Sequence, residues 1–162
     1  MRIYLIGLAG LLFTFNAFAA EKSLVITTGN LEALRLSVPE TANVSIKAEK
    51  TTIETKTLWL YIWSVPSAKT VDEAILKIGE VIKGEFSDFA AKSTESITLA
   101  GGEAKHLKGR GTEADDGDPG TAEVVIFVVG KNVFAACVHG EGDHAALERE
   151  QMLAVLQTAK SP

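Results

Sequence analysis

The chain has 162 residues, a formal net charge of −5 and one cysteine. An acidic balance disfavours nucleic acid and anionic membrane surfaces, since both are recognised through a positive footprint. A lone cysteine excludes an internal disulfide, so the core alone must hold the fold.

The chain opens on an export pattern. Arg2 supplies a positive charge, residues 3–15 are almost wholly apolar, and Ala17-Phe18-Ala19 places small residues where a signal peptidase reads them. The apolar run falls short of the roughly 20 residues that a spanning helix needs. The expectation is a signal peptide over 1–19, cleaved after Ala19, and a single domain over 20–162. Cys137 lies far from the cleavage point, so no lipidation is expected. The address is periplasmic or secreted, with no stable membrane anchor.

After this segment the pattern is strands, a helix, more strands and a last helix. Residues 24–27 form a short β-branched run. Residues 34–38 alternate and stop at Pro39, which has no N–H for a ladder. Residues 43–49 and 52–55 read as strands, and 58–65 is the most hydrophobic strand, ending at Pro66. Thr70 and Glu73 form a capping box. Val71, Ala74, Ile75, Ile78, Val81, Ile82, Phe86 and Phe89 follow at three- and four-residue spacing, which predicts one helix that kinks or ends near Gly84. Residues 93–99 and 104–112 read as strands, and 113–120 as a polar loop. Residues 122–129 and 132–139 form a hairpin turning at Gly130-Lys131. Asp143 is placed to cap a helix running to about residue 160.

Short turns between neighbouring strands indicate an antiparallel sheet of the α+β class. Leu58, Leu60 and Ile62 oppose Trp59, Tyr61 and Trp63, and Val124, Ile126 and Val128 oppose Val125, Phe127 and Val129. Strands apolar on both sides need cover on both sides, so helices are expected on both faces, as an α/β/α sandwich. This order, with the early strand ending at Pro39, the step at Trp63-Ser64-Val65-Pro66 and the 124–138 hairpin running into a last helix, resembles the PsbP-like fold. That group includes photosystem II extrinsic subunits, Ran-binding Mog proteins and DcrB-like envelope proteins. The resemblance implies a scaffold for binding and assembly, in an exported bacterial branch, without a common active site.

Three sets of residues are candidates for chemistry. Glu113, Asp115, Asp116 and Asp118 could offer oxygen ligands to a divalent cation or a basic partner. The alternative is a solvated turn balanced by Lys105, Lys108 and Arg110. His139, Glu141, Asp143 and His144 carry ligand types for zinc, in no established spacing; the alternative is a structural loop. Trp59, Tyr61 and Trp63 line one strand face, either open to a partner or packed in the core. Cys137 and His139 share a strand face, but at about 7 Å apart they lie beyond hydrogen-bond reach. No nucleophile elbow, P-loop, H-E-x-x-H or C-x-x-C occurs, so no catalytic residue is assigned.

The resulting expectation is an exported, soluble, non-enzymatic binding or accessory module with a protein partner in the cell envelope, no nucleic acid and no cofactor. The alternative is a metal-dependent enzyme or metal-binding protein using the 139–144 and 113–118 loops with a divalent cation.

Overall fold

A computed structural model describes residues 20–28, 31–100, 102–140 and 142–162, apart from the side chains of 142 and 143. The expected signal peptide, 1–19, lies outside the described residues. No helix among those described is long and apolar enough to cross a membrane.

The elements run β1 (Glu21–Thr28), β2 (Leu31–Pro39), β3 (Asn43–Lys47), β4 (Lys50–Glu54), β5 (Trp59–Ser64), α1 (Val71–Ile75), α2 (Ile78–Val81), β6 (Ala90–Leu99), β7 (Gly102–Thr112), β8 (Pro119–Val129), β9 (Asn132–His139) and α3 (Gly142–Gln157). β1 and β2 pair as a separate antiparallel ribbon. The other seven strands form one antiparallel sheet in the order β3-β4-β5-β9-β8-β7-β6. The class is α+β, as expected.

Period-two alternation divides the core into two clusters. Leu60, Ile62, Val125, Phe127, Phe134 and Ala136 join one cluster, together with Ile26, Leu34 and Leu36 of the ribbon and Met152, Val155 and Leu156 of α3. Trp63, Val124, Ile126, Val133, Ala135 and Cys137 join the other, together with Val71, Ala74, Ile78, Ile82 and Phe86. Successive side chains of β8 and β9 thus serve opposite sides of the sheet. Phe127 and Phe134, cross-strand neighbours in β8 and β9, stack with centroids 5.6 Å apart.

The helix expected from Val71 through Phe89 is not one helix. Its start is as read: Thr70 Oγ1 accepts from the Glu73 N–H at 3.2 Å, and the Glu73 carboxylate accepts from the Lys69 N–H at 2.8 Å. The helix then stops at Ile75. Lys77 leaves helical geometry (φ −107°, ψ 0°) and its ammonium bonds back to the Ser67 carbonyl. Leu76 is left exposed, and one further turn follows. Beyond it the backbone bonds to another part of the chain: the Ser87 N–H donates to the Thr112 carbonyl at 2.9 Å, and the Ala114 N–H to the Glu85 carbonyl at 2.9 Å. The apolar stripe is still buried, which is why its spacing looked helical throughout. The polar loop also shortens, because β8 begins at Pro119.

Segment 85–89 presses on β7 where that strand is glycine. A Cβ on Gly109 would overlap the Phe89 ring and the Ala90 carbonyl, whereas one on Gly84 would meet nothing within 4 Å. Gly109→Ala is therefore expected to lower unfolding free energy by about 1–3 kcal/mol, and Gly84→Ala to change it by no more than about 0.5 kcal/mol. Urea denaturation of the two variants checks the contrast.

Candidate functional site

The residues read as separate candidates converge at one end of the second cluster. β5 delivers Trp59 and Tyr61, β9 ends at His139, the turn that follows α2 supplies Glu85, the 113–118 turn supplies Glu113 and Asp115, and α3 supplies His144 and Glu148. Together they line a cleft of about 430 Å³ with Gly84 and Gly140.

Local geometry explains each placement. β9 and β5 are neighbours, with Tyr61 opposite Cys137, so Tyr61 and His139 fall on one face and their rings sit 5.2 Å apart. The Phe86 ring lies 4.7 Å from the imidazole on another side. After His139 the chain reverses at Gly140, whose φ of +123° is open to glycine alone. Its N–H donates to the Thr121 carbonyl at 3.0 Å, and its carbonyl accepts from the Thr121 hydroxyl at 2.6 Å. The acidic turn is closed by the Glu113 N–H donating to the Asp118 carbonyl at 2.8 Å and by the Asp118 N–H donating to Asp116 Oδ1 at 2.9 Å.

The electrostatics are one-sided. Among the described residues the lining holds four carboxylates, Glu85, Glu113, Asp115 and Glu148, and no Lys or Arg. Lys50 reaches the edge, with its ammonium 2.6 Å from Glu85 Oε1 and 5.0 Å from the Tyr61 ring centroid. His139 Nε2 is 3.9 Å from Glu85 Oε2 and is buried with no hydrogen-bond partner among the described residues. Burial, against the pull of Glu85, lowers the His139 pKa from its ordinary value. Burial together with Glu85 raises the Tyr61 phenol far above its ordinary range, so the hydroxyl stays protonated. Partial burial and then the charges of Asp116, Asp115 and Asp118 raise the Glu113 carboxyl. Burial also raises Glu148, against the Trp59 N–H at 3.2 Å and His144 Nδ1 at 3.5 Å.

Several expectations change. The aromatic stripe is graded rather than open or closed: Trp59 is 52% exposed, Tyr61 is intermediate, and Trp63 is buried at 8%. Trp63 therefore belongs to the core, because the helical turns cover that end of β5. Lys105, Lys108 and Arg110 do not balance the acidic turn. Lys105 pairs with Glu103 at 3.4 Å, Lys108 approaches Glu123 at 4.0 Å, and Arg110 points to the other side of the sheet, in a separate groove. Asp118 serves the turn itself. Glu113, Asp115 and Asp116 bring one carboxylate oxygen each within 4.8 Å of one another. Glu141 and the side chain of Asp143 lie outside the described residues, whereas His139 and His144 both line the cleft. Cys137 is fully buried, and burial drives its thiol well above the ordinary range, so it is no nucleophile.

Glu85, Phe86 and Glu148 belong to the site and were not read from the sequence. Glu148, four residues after His144, was the visible signal, being a carboxylate one turn away on the same helix face. Glu85 had no local signal, since its place depends on the pairing with 112–114.

No protein-family model matches the chain, and no curated protein matches it. Among solved structures it is similar to PA94, a Pseudomonas aeruginosa protein of unknown function, over 84% of this chain and 94% of that one, at 11% identity and a TM-score of 0.48. That likeness carries no argument about the site.

The partly buried imidazole predicts a pH dependence. An unfolded imidazole titrates near 6.5, and in the folded protein His139 lies below that value. The unfolded chain then binds more protons as pH falls through 6.5 towards the folded value, so this residue withdraws stability on acidification. His139→Gln should show a smaller loss of unfolding free energy between pH 7 and pH 5 than the parent, measured by urea denaturation at both pH values.

Proposed function

We propose that this protein is an exported, non-enzymatic binding module of the cell envelope that takes a cationic group of its partner into the cleft at Trp59, Tyr61 and His139. One observation carries the reading: four carboxylates and an exposed indole face a single cavity with no Lys or Arg in its lining among the described residues. Such a surface repels anions and favours an ammonium or guanidinium, through charge and through the ring faces. Lys50, already lodged between Glu85 and the Tyr61 ring, illustrates the chemistry with the protein's own ammonium. A non-catalytic role is supported by the buried Cys137 and by the lack of a nucleophile hydrogen-bonded to a base among the lining residues. Export rests on the 1–19 pattern. A PsbP-like α/β/α sandwich is the scaffold we assign, supported by the element order and by the recruitment of α3 and of α1–α2 into different core clusters.

A second reading is favoured by the clustered oxygens of Glu113, Asp115 and Asp116 and the unpartnered His139 Nε2. These atoms are of the kinds that bind a divalent cation, and the protein would then be a metal-binding protein or metal-dependent enzyme.

Titration with lysine- and arginine-containing peptides, followed by tryptophan fluorescence, separates the readings. Saturable changes are expected with basic peptides and not with acidic or neutral ones, and Glu85→Gln or Glu113→Gln should weaken binding about tenfold, the loss of one charge-assisted contact. Trp59→Phe should remove the signal. A saturable response to calcium or zinc that is lost in Glu113→Gln, with none to the peptides, would replace the first reading by the second. Crosslinking in the native envelope tests for the partner itself.

A further inference from the structure

The β9–α3 turn has a second concave surface beside it. A groove of about 440 Å³ is lined by Lys92, Lys108 and Arg110, together with Thr121, Glu123 and Gly140 among others. Gly140 also lines the acidic cleft, so the two cavities adjoin the same turn with opposite charge.

Three features set this groove apart from an ordinary solvated strand face. First, Lys92 is the extra residue of a β-bulge. Ala91 pairs with Gly109 and Ser93 with Lys108, leaving Lys92 outside the ladder. A bulge re-aims the side chain it carries, and here it turns a third cation towards Lys108 and Arg110. Second, among the described residues the one carboxylate in the lining is engaged elsewhere. Glu123 Oε2 lies 2.6 Å from His106 Nε2, close but outside hydrogen-bond alignment, and Glu123 Oε1 lies 3.5 Å from Arg149 Nη1. Lys108 approaches that same oxygen only to 4.0 Å. Third, among the described residues neither Lys92 nor Arg110 forms an ion pair. Glu95, which shares the sheet face of Lys108 by its pairing with His106, forms none either. Three cations thus gather beside one neutralised acid in a chain of net charge −5. Lys108 has only its long contact with Glu123 and the other two cations have none among the described residues, so the three repel one another, and a multiply charged anion relieves that repulsion while matching the fork of Arg110.

We infer that this groove is a binding site for a phosphoryl group, independent of the cleft's function. Its dimensions exceed a single phosphate and suit a phosphate ester or a diphosphate. The same chemistry is offered by a phospholipid headgroup and by a soluble phosphorylated molecule.

The test uses inorganic pyrophosphate and phosphate, added to the purified protein while backbone amide resonances are followed by NMR, with sodium chloride at matched ionic strength as control. Saturable shifts at Gly109, Thr121 and Gly140 are expected, stronger for pyrophosphate. Arg110→Gln should weaken them at least tenfold, Lys92→Gln should weaken them measurably, and Lys131→Gln, at the distant β8–β9 turn, should leave them unchanged. Lys92 and Arg110 are both exposed, and an unaltered spectrum away from the groove verifies folding of each variant. Co-sedimentation with phosphatidylglycerol vesicles that is lost in Arg110→Gln assigns the phosphoryl group to a lipid. Saturable pyrophosphate binding with the protein left in the supernatant assigns it to a soluble ligand. Shifts no larger than those from chloride together with no Arg110-dependent sedimentation, or undiminished binding in both charge variants, would overturn the site.

Discussion

The central hairpin of β8 and β9 is buried on both sides, and the other elements answer to that constraint. Val125, Phe127, Phe134 and Ala136 are covered with help from the β1–β2 ribbon and α3, and Val124, Ile126, Ala135 and Cys137 with help from the turns between Val71 and Phe86. A strand with no polar face has no stable position at a surface, so neither cover is dispensable. The cover ends before β9 does. His139 is the last residue of that strand, and the polar groups of three neighbouring segments gather at its open end. The cleft is thus the place where the second core cluster stops.

The strands were legible because alternation and punctuation agreed. The span of β9 was read as it stands, Pro39 is the last residue of β2, and Pro66 lies two residues beyond β5. The α+β class followed from those elements. The middle of the chain misled because burial and helical geometry came apart. Ile78, Ile82 and Phe86 are buried as a helical stripe would be, yet the backbone between Ile75 and Phe89 closes only short local turns before Ser87 and Glu85 pair with Thr112 and Ala114. Periodicity reports which side chains face a core; it does not report where the peptide groups find partners.

The site was partly legible for the same reason. Both loops and the aromatic strand were visible as local compositions, and each had a plain structural alternative. What the sequence could not display was their meeting, which depends on β5 lying beside β9 and on Glu85 being tied to the acidic turn. Convergence is a property of the sheet order, and no local spacing encodes it. The fate of the stripe follows likewise. Trp59 and Trp63 are four residues apart on one face and differ only in which end of β5 the helical turns reach.

Cys137 has a practical consequence. It is the chain's single thiol and lies fully buried at the middle of the sheet, between Tyr61 and Val124 of the flanking strands. An alkylating reagent reaches it only when β9 separates from its neighbours, and no other sulfhydryl competes for the label. The rate at which the folded protein takes up such a reagent is therefore a direct clock for the opening of its centre, with one site, one product and a mass change to count.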